Sequence, residues 1–366
     1  DAVAPNRPVA LFRIDTHAVA CNTVAIERAD LVARLSSAQQ EFLVRDEWGD
    51  PTGLVCEDAV KVLQSSMPRP DLAALRRWYR IGVEECRRNG LVEVHDMNVQ
   101  PEWIEPLVLN AEAGELTVAT HLFLDGTKPI PNELMRPGSI APNLSVAGIK
   151  FFVDGALGSR GAWLKEPYAD DATTTGLQTL TAEQIVECSR DPVNRGLAVA
   201  THAIGDAAVA ETLDAYRVLR AEFPRAVLRI EHAQIVDPVD LPQFEELNIL
   251  PAVQPIHCIS DIAMATERLG VERLDRCYRW GSFRQIGRPL IAGSDFPVES
   301  ADPFAGMRAF VERRGDSGRW YPDEAISPTD ALAAYTSWSG LGLPTERRGR
   351  RLQPGFPGPL VVHRRS

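Results

Sequence analysis

The stretch LAVATHAIGD, residues 197–206, decides the fold. It begins as a short apolar strand, ends in a polar residue, His202, and leads into an amphipathic helix predicted over residues 207–222. Similar apolar runs occur along most of the chain, at residues 91–95, 116–124, 149–153, 197–202, 227–232, 249–254 and 289–294. Short apolar strands that alternate with helices indicate a parallel sheet in an α/β fold. Seven of them predict a TIM-type barrel that lacks one strand. A doubly wound sheet is the alternative, disfavoured because no strand leads into a GxGxxG turn.

The composition excludes several classes of protein. The chain has 366 residues, 45% of them apolar, so it can bury a full core. Its net charge of −11 argues against a nucleic-acid or anionic-membrane partner, because phosphate recognition needs a basic surface. No apolar run is long enough to span a bilayer. The six cysteines are scattered without a CxxC pair, which favours a reducing compartment, and we expect a cytoplasmic protein.

The N-terminal quarter differs from the rest of the chain. One strand is predicted over residues 9–14, and helices are predicted over 22–33 and 71–89, the second ending at Gly90 as a helix C-cap does. The chain starts with Asp1 inside what reads as a loop entering a strand. We therefore expect that a stretch of chain precedes it.

Four predicted strands end in residues that can bind metal or transfer protons: Lys150 with Asp154, then His202, His232 and Asp295. The carboxyl ends of parallel barrel strands lie on one face, where their side chains converge. Imidazole suits zinc and similar metals, so we predict that the two histidines are ligands. A hydrogen-bonded structural role for the histidines, and a helix N-cap role for the aspartate, are the alternatives.

Lys150 stands alone in an otherwise apolar strand. Burial of an unpaired lysine is costly and lowers its pKa. It could pair with Asp154, two residues further on the same strand face. It could instead react as a neutral amine with carbon dioxide, and the carbamate would then bridge two metal ions. The residues alone leave these two readings equally open.

Several further residues are expected at the mouth of the barrel. His257, in QPIH, is predicted to contact the substrate or polarise its carbonyl, with a plain surface-loop histidine as the alternative. His17 either reaches the pocket from the N-terminal segment or has a structural role. Arg160 either orients a substrate carboxylate or pairs with Asp154. By contrast, His95 and His121 are expected to be structural.

An ordered set of motifs resembles the amidohydrolase superfamily, most closely its N-substituted formamide deformylase-like branch (amidohydrolase family 3). The resemblance covers nearly the whole chain. It rests on residues 6–29 and on GLVEVHDMN, IKFFVDGALGSRGAWLKEPY, ATHAIGDAAV, RIEHAQIV, AVQPIHCISD, RLGVERLDRCYRW and AGSDFPVESADPF.

The resemblance implies a set of roles. Lys150 matches a strand lysine that is typically carboxylated, while His202 and His232 match the histidine ligands of the next two strands. Asp295 matches the aspartate that binds metal and shuttles the proton. The implied cofactor is a divalent metal, Zn²⁺, as one or two ions. The implied domains are an insertion that covers the active site (1–89), the metal-dependent hydrolase barrel (90–345) and a remnant of a small β-sandwich domain (346–366).

The chain also departs from that family. The family's first strand ends in a His-x-His pair, and none of the seven histidines here has that spacing. We therefore expect an incomplete barrel without the first strand. The tail departs as well, because Gly358-Pro359 stands where the family has a Gly-x-x-Ala-Asp turn.

These observations predict a metal-dependent hydrolase of a C–N, amide-type bond in small molecules, other than a peptide bond. Asp295 is the expected general base and acid, with His257 as a second catalytic residue, and Asp154, Arg160, His17 and His257 as substrate-binding residues. A catalytically inactive relative with a binding or regulatory role is the alternative. A homodimer is the default oligomeric state.

Overall fold

The computed structural model describes residues 1–13, 17–315, 318–344 and 361. The N-terminal part is a small module with its own core. Strands β1 (Ala10–Phe12), β2 (Ala18–Cys21), β3 (Leu43–Arg45) and β4 (Pro51–Cys56) form an antiparallel sheet in the order β1-β2-β4-β3. Helices α1 (Thr23–Arg28), α2 (Leu31–Arg34) and α3 (Glu57–Ser65) accompany it. Apolar residues such as Val19, Leu31 and Val55 are buried between these elements.

The sequence prediction for this module was partly wrong. One strand was predicted where the structure has a four-stranded sheet, and the helix predicted over 22–33 is two helices. The break lies at Asp30, whose φ of 46° is left-handed and ends the helical path. Very short strands and helices carry too little periodicity to be recognised.

A long helix joins the module to the main body. This helix, α4 (Leu72–Arg88), confirms the prediction for residues 71–89. Asp71 caps it by accepting a hydrogen bond from the Ala74 amide (2.7 Å). Gly90, with a φ of 79°, follows the helix end and supplies the conformation that stops it.

Seven parallel strands form a curled sheet, a half-barrel, which confirms the predicted α/β class and the incomplete TIM-type barrel. They are β5 (Glu93–Val99), β6 (Ala119–Asp125), β8 (Leu144–Phe152), β9 (Ala198–Ala203), β10 (Leu228–His232), β11 (Leu250–Val253) and β12 (Ile291–Ala292). Their order is β12-β11-β10-β9-β8-β6-β5. The strand predicted over 289–294 shrinks to two residues, and β7 (Gly138–Ala141), which pairs antiparallel with β8, was missed.

The remaining helices cover the outside of the sheet or follow it. They are α5 (Pro101–Glu112), α6 (Ala182–Asn194), α7 (Asp206–Glu222), α8 (Gln243–Glu246), α9 (Pro255–Leu269), α10 (Trp280–Gln285), α11 (Pro303–Glu312) and α12 (Pro328–Tyr335). Helix α8 is only a single turn. No helix in the described ranges has the length and apolar character needed to cross a bilayer.

The concave side of the sheet carries a small apolar cluster with charges beside it. Ala198, Ala200 and Ala252 leave space there, because their side chains are short. Arg229 and Glu231 of β10 fill part of this space, and Lys150 of β8 is also buried. Residues 345–360 and 362–366, which include most of the predicted β remnant, lie outside the described residues.

Candidate metal centre

Three histidines meet at the carboxyl end of the sheet. His202 is the residue before the last in β9, and His232 is the last residue of β10. His257 lies in the first turn of α9, after β11. The ring centroids of His202 and His232 are 4.4 Å apart, and those of His232 and His257 are 6.0 Å apart with planes only 7° from parallel. His232 has a φ of 71°, so the strand turns sharply at this residue.

Each of these histidines has a buried ring nitrogen that makes no hydrogen bond within the described part of the chain, although His202 Nε2 lies 3.3 Å from the Asp154 carboxylate. The atoms are His202 Nε2, His232 Nδ1 and His257 Nε2. Buried polar atoms are nearly always paired, so the unpartnered nitrogens of His232 and His257 indicate that these side chains are donors for a ligand. Burial, followed by the charges of His202 and Lys150, holds the pKa of His232 well below its usual range. A neutral imidazole is the form that binds metal.

Asp295 completes a compact group of donors. It follows β12 with a φ of 57°, and its carboxylate is exposed. One ligand atom from each of His232, His257 and Asp295 lies within 4.8 Å of the other two. Two imidazoles and a carboxylate form a donor set that suits Zn²⁺ and leaves a position for water or substrate. His202 lies outside this compact group but directly beside it.

Lys150 lies below this group and is 3% exposed. Burial lowers the pKa of its ammonium to about 8, although the negative charges of Glu231 and Asp295 act in the opposite direction. The ammonium nitrogen also lies 4.8 Å from the centre of the Phe152 ring. A lysine of this kind is partly neutral near pH 8, as a carbamate-forming amine must be.

Backbone amides hold the Asp154 carboxylate in place. Its carboxylate accepts hydrogen bonds from the backbone amides of Ile204 (3.0 Å), Gly205 (2.8 Å) and Trp163 (3.0 Å). His202 Nε2 lies 3.3 Å from its Oδ1. Among the described residues, no ion pair joins it to Lys150. Asp154 therefore holds together the loops that follow β8 and β9.

The ion-pair partner of Arg160 is Asp170, whereas the sequence suggested Asp154. It does not pair with Asp154. Its guanidinium donates to both carboxylate oxygens of Asp170 (3.2 and 2.8 Å), and Arg268 of α9 binds the same carboxylate. Its side chain is 36% exposed. The pairing fastens the loop after β8 to α9.

The N-terminal module touches this loop through His17. Its Nδ1 lies 3.0 Å from Oε2 of Glu57, and its ring lies against Gly155, where an added Cβ would be 3.3 Å from its Cε1. Gly155 directly follows Asp154. The structure thus places His17 over the loop at the barrel mouth.

Two predicted structural histidines lie inside the half-barrel, away from the metal group. His95 Nδ1 is 2.9 Å from Arg229, whose guanidinium also donates to Glu231 (2.5 and 3.0 Å). His121 bonds Ser145 (2.6 Å) and Glu93. Sequence reasoning missed the Arg229–Glu231 pair. The signal was present, since two charges alternate within the apolar strand RIEH.

Comparisons with known proteins identify the family of this chain. The model of the amidohydrolase family matches residues 1–365. YtcJ of Bacillus subtilis (strain 168) is 28% identical over 371 residues, which are 99% of this chain and 70% of that protein. N-substituted formamide deformylase of Arthrobacter pascens is 26% identical over 357 residues, covering 92% of this chain and 64% of that enzyme.

The solved structure of an uncharacterized metal-dependent hydrolase from Pyrococcus horikoshii OT3 superposes with a TM-score of 0.80 at 27% identity. The match covers 97% of this chain and 71% of that one. The chain therefore spans about two thirds of the length of its relatives. From the family match over its length and the histidine–aspartate group at the strand ends, we conclude that this chain belongs to the amidohydrolase family.

Proposed function

We propose that this protein is a metal-dependent hydrolase that cleaves a C–N, amide-type bond in a small molecule, other than a peptide bond. The observation that carries the proposal is the pair of buried, unpartnered nitrogens of His232 and His257 in a compact group with the Asp295 carboxylate. Family membership supports hydrolysis. The similarity to a deformylase of N-substituted formamides supports an amide as the bond.

The metal in this proposal is Zn²⁺, as one or two ions. His202, His232, Asp295 and a carboxylated Lys150 would hold it, and His257 would be a further donor or the group that contacts the substrate carbonyl. The donor chemistry supports zinc, because imidazole and carboxylate are common zinc ligands. The pKa of about 8 supports carboxylation of Lys150, because only a neutral amine attacks carbon dioxide.

The bound metal would lower the pKa of water and polarise the amide carbonyl. Asp295 then accepts the proton of the attacking water and returns it to the leaving nitrogen. Its exposed carboxylate at the end of β12 supports both transfers, because it can reach solvent and substrate. His257 orients the carbonyl from the start of α9.

The remaining predicted site residues shape the mouth. His17, held by Glu57, contributes to substrate binding from above the loop. Asp154 and Arg160 belong to that same loop, which borders the substrate. Their hydrogen bonds to the Gly205 amide and to Asp170 hold the loop in place. The acidic charge of −11 supports a protein without a nucleic-acid partner. The proposal also includes a cytoplasmic location and a homodimer.

His202→Ala tests the proposal, with His121→Gln as the matched control in the barrel interior. We expect the native chain and the control to contain about one or more zinc ions per chain and to release formate from N-benzylformamide. We expect His202→Ala to lose metal and activity together, because the imidazole is a ligand. Elemental analysis and a formate assay give the two readouts.

Full metal content with full activity in His202→Ala would contradict the ligand assignment. A native chain that binds no metal and hydrolyses nothing would instead support the inactive, binding alternative.

A further inference from the structure

We propose that Asp261 is a positioning residue that fixes the separation between His232 and His257. The proposal rests on the metal centre proposed above. Asp261 touches neither histidine in the structure. It acts by joining the two backbone segments that carry them.

The first segment is helix α9. His257 and Asp261 are four residues apart on this helix, so they lie on the same face, one turn from each other. The position of Asp261 therefore determines the position of the turn that carries His257. Burial raises the pKa of Asp261, which indicates a carboxylate largely removed from water.

The second segment is the exit from β10. Gln234 is two residues after His232, is buried, and donates from Nε2 to Oδ2 of Asp261 (2.8 Å). Along the chain, the path from His232 to His257 runs through the whole of β11. The Gln234–Asp261 hydrogen bond is a direct link between the two sides, across the space in which the rings face each other at 6.0 Å.

A third element holds the same carboxylate oxygen. Tyr278 donates its hydroxyl to Oδ2 of Asp261 (2.5 Å), and its amide donates to the carbonyl of Gln234 (2.8 Å). The Tyr278 carbonyl accepts from Arg313 (2.9 Å), which is fully buried over the Trp280 ring. Asp261 is therefore anchored in a packed part of the protein, so the link transmits a defined position.

Both donors end on one oxygen atom of Asp261. An amide oxygen placed there accepts the same two hydrogen bonds, so Asp261→Asn preserves the link and removes only the charge. Leucine at this position has a similar size and no acceptor. Gln234→Leu breaks the link from the other side while the Tyr278 bond to Asp261 remains.

The test is Zn²⁺ affinity of the full chain, measured by isothermal titration calorimetry. Groups that orient metal ligands typically change affinity by about 10–100-fold when they are lost. We expect a loss of that size in Asp261→Leu and in Gln234→Leu. We expect Asp261→Asn to stay within about threefold of native, because the acceptor remains. Gln243→Leu is the matched control, because it removes a glutamine of α8 that donates a hydrogen bond to Asp240.

Circular dichroism and thermal melting establish that each variant is folded. If Asp261→Leu does not fold, Gln234→Leu and Asp261→Asn still decide the question. Native affinity in Gln234→Leu overturns the inference and leaves the proposed function in place. An equal loss in Asp261→Asn assigns the effect to charge and also overturns it. A native chain that does not bind Zn²⁺ overturns the proposed function, and the inference with it.

Discussion

Asp96 provides a direct test of how burial acts on a charge in this fold. It lies on β5 next to His95, whose side chain faces the interior of the half-barrel, so Asp96 faces the outer layer. There burial, followed by the negative charge of Asp96, raises the pKa of Tyr79 and Cys86, both on α4. Burial raises the pKa of Asp96 itself from 3.8 to about 6. We expect Asp96→Asn to stabilise the protein at pH 8.

The size and sign of the effect follow from proton linkage. Between pH 3.8 and 6 the folded chain binds the Asp96 proton more tightly than the unfolded chain. The free energy of unfolding therefore falls as the pH rises through this window, and the loss persists above it. A shift of about two units corresponds to about 3 kcal/mol at pH 8 and about 1 kcal/mol at pH 4.5. Asparagine has no charge to bury, and we expect a measured gain of about 1–3 kcal/mol at pH 8.

Urea unfolding at pH 4.5 and pH 8 measures this difference. Asp214→Asn is the control, because that side chain is 69% exposed and the variant should stay within about 0.5 kcal/mol of native at both pH values. A gain in Asp96→Asn that is the same at both pH values, or a loss at pH 8, would refute the reasoning.

Two further predictions concern the site and its supporting loop. With a pKa of about 8, Lys150 is about half neutral at pH 8, compared with about 0.3% for an ordinary lysine, so we expect a carbamate carbon signal by NMR in ¹³C-bicarbonate. Lys150→Met should lose this signal and Lys61→Met should keep it; persistence in Lys150→Met would contradict the assignment. Gly205→Ala should lower the free energy of unfolding by about 1–3 kcal/mol and reduce activity, because a Cβ there overlaps the Trp163 carbonyl beside the Asp154 contacts. Gly82→Ala, with open space around it inside α4, should be neutral or slightly stabilising in the same urea assay.

The half-barrel could be predicted from the sequence because its strands are short, apolar and buried on both faces. The run from Leu197 to Ala200 and the run ending at Val153 are examples. Parallel strands of this kind have few alternative environments. The N-terminal module could not be predicted, because its strands are three to six residues long and partly exposed, as Leu11 at 67% exposure shows. Such segments take their structure from their neighbours.

The hydrogen-bond and ion-pair partners of the loop residues could not be predicted from the sequence either. Arg160 binds Asp170 because Arg268, far along the chain on α9, holds that aspartate in place. The three amides that occupy Asp154 come from two separate loops. Contacts of this kind depend on where loops meet in space, and no local pattern encodes that.

By itself, the sequence determined the strand–helix alternation and which polar residues end the strands, since both follow from local patterns of apolar and polar side chains. The folded structure alone decided which of those residues meet. In it, His257 lies beside His232 and Asp295. Backbone amides bind the Asp154 carboxylate, and Asp261 of α9 is hydrogen-bonded to Gln234 after β10. The physical reason is that side-chain convergence depends on the curvature of the sheet and the packing of the helices, which arise from contacts distant in the chain.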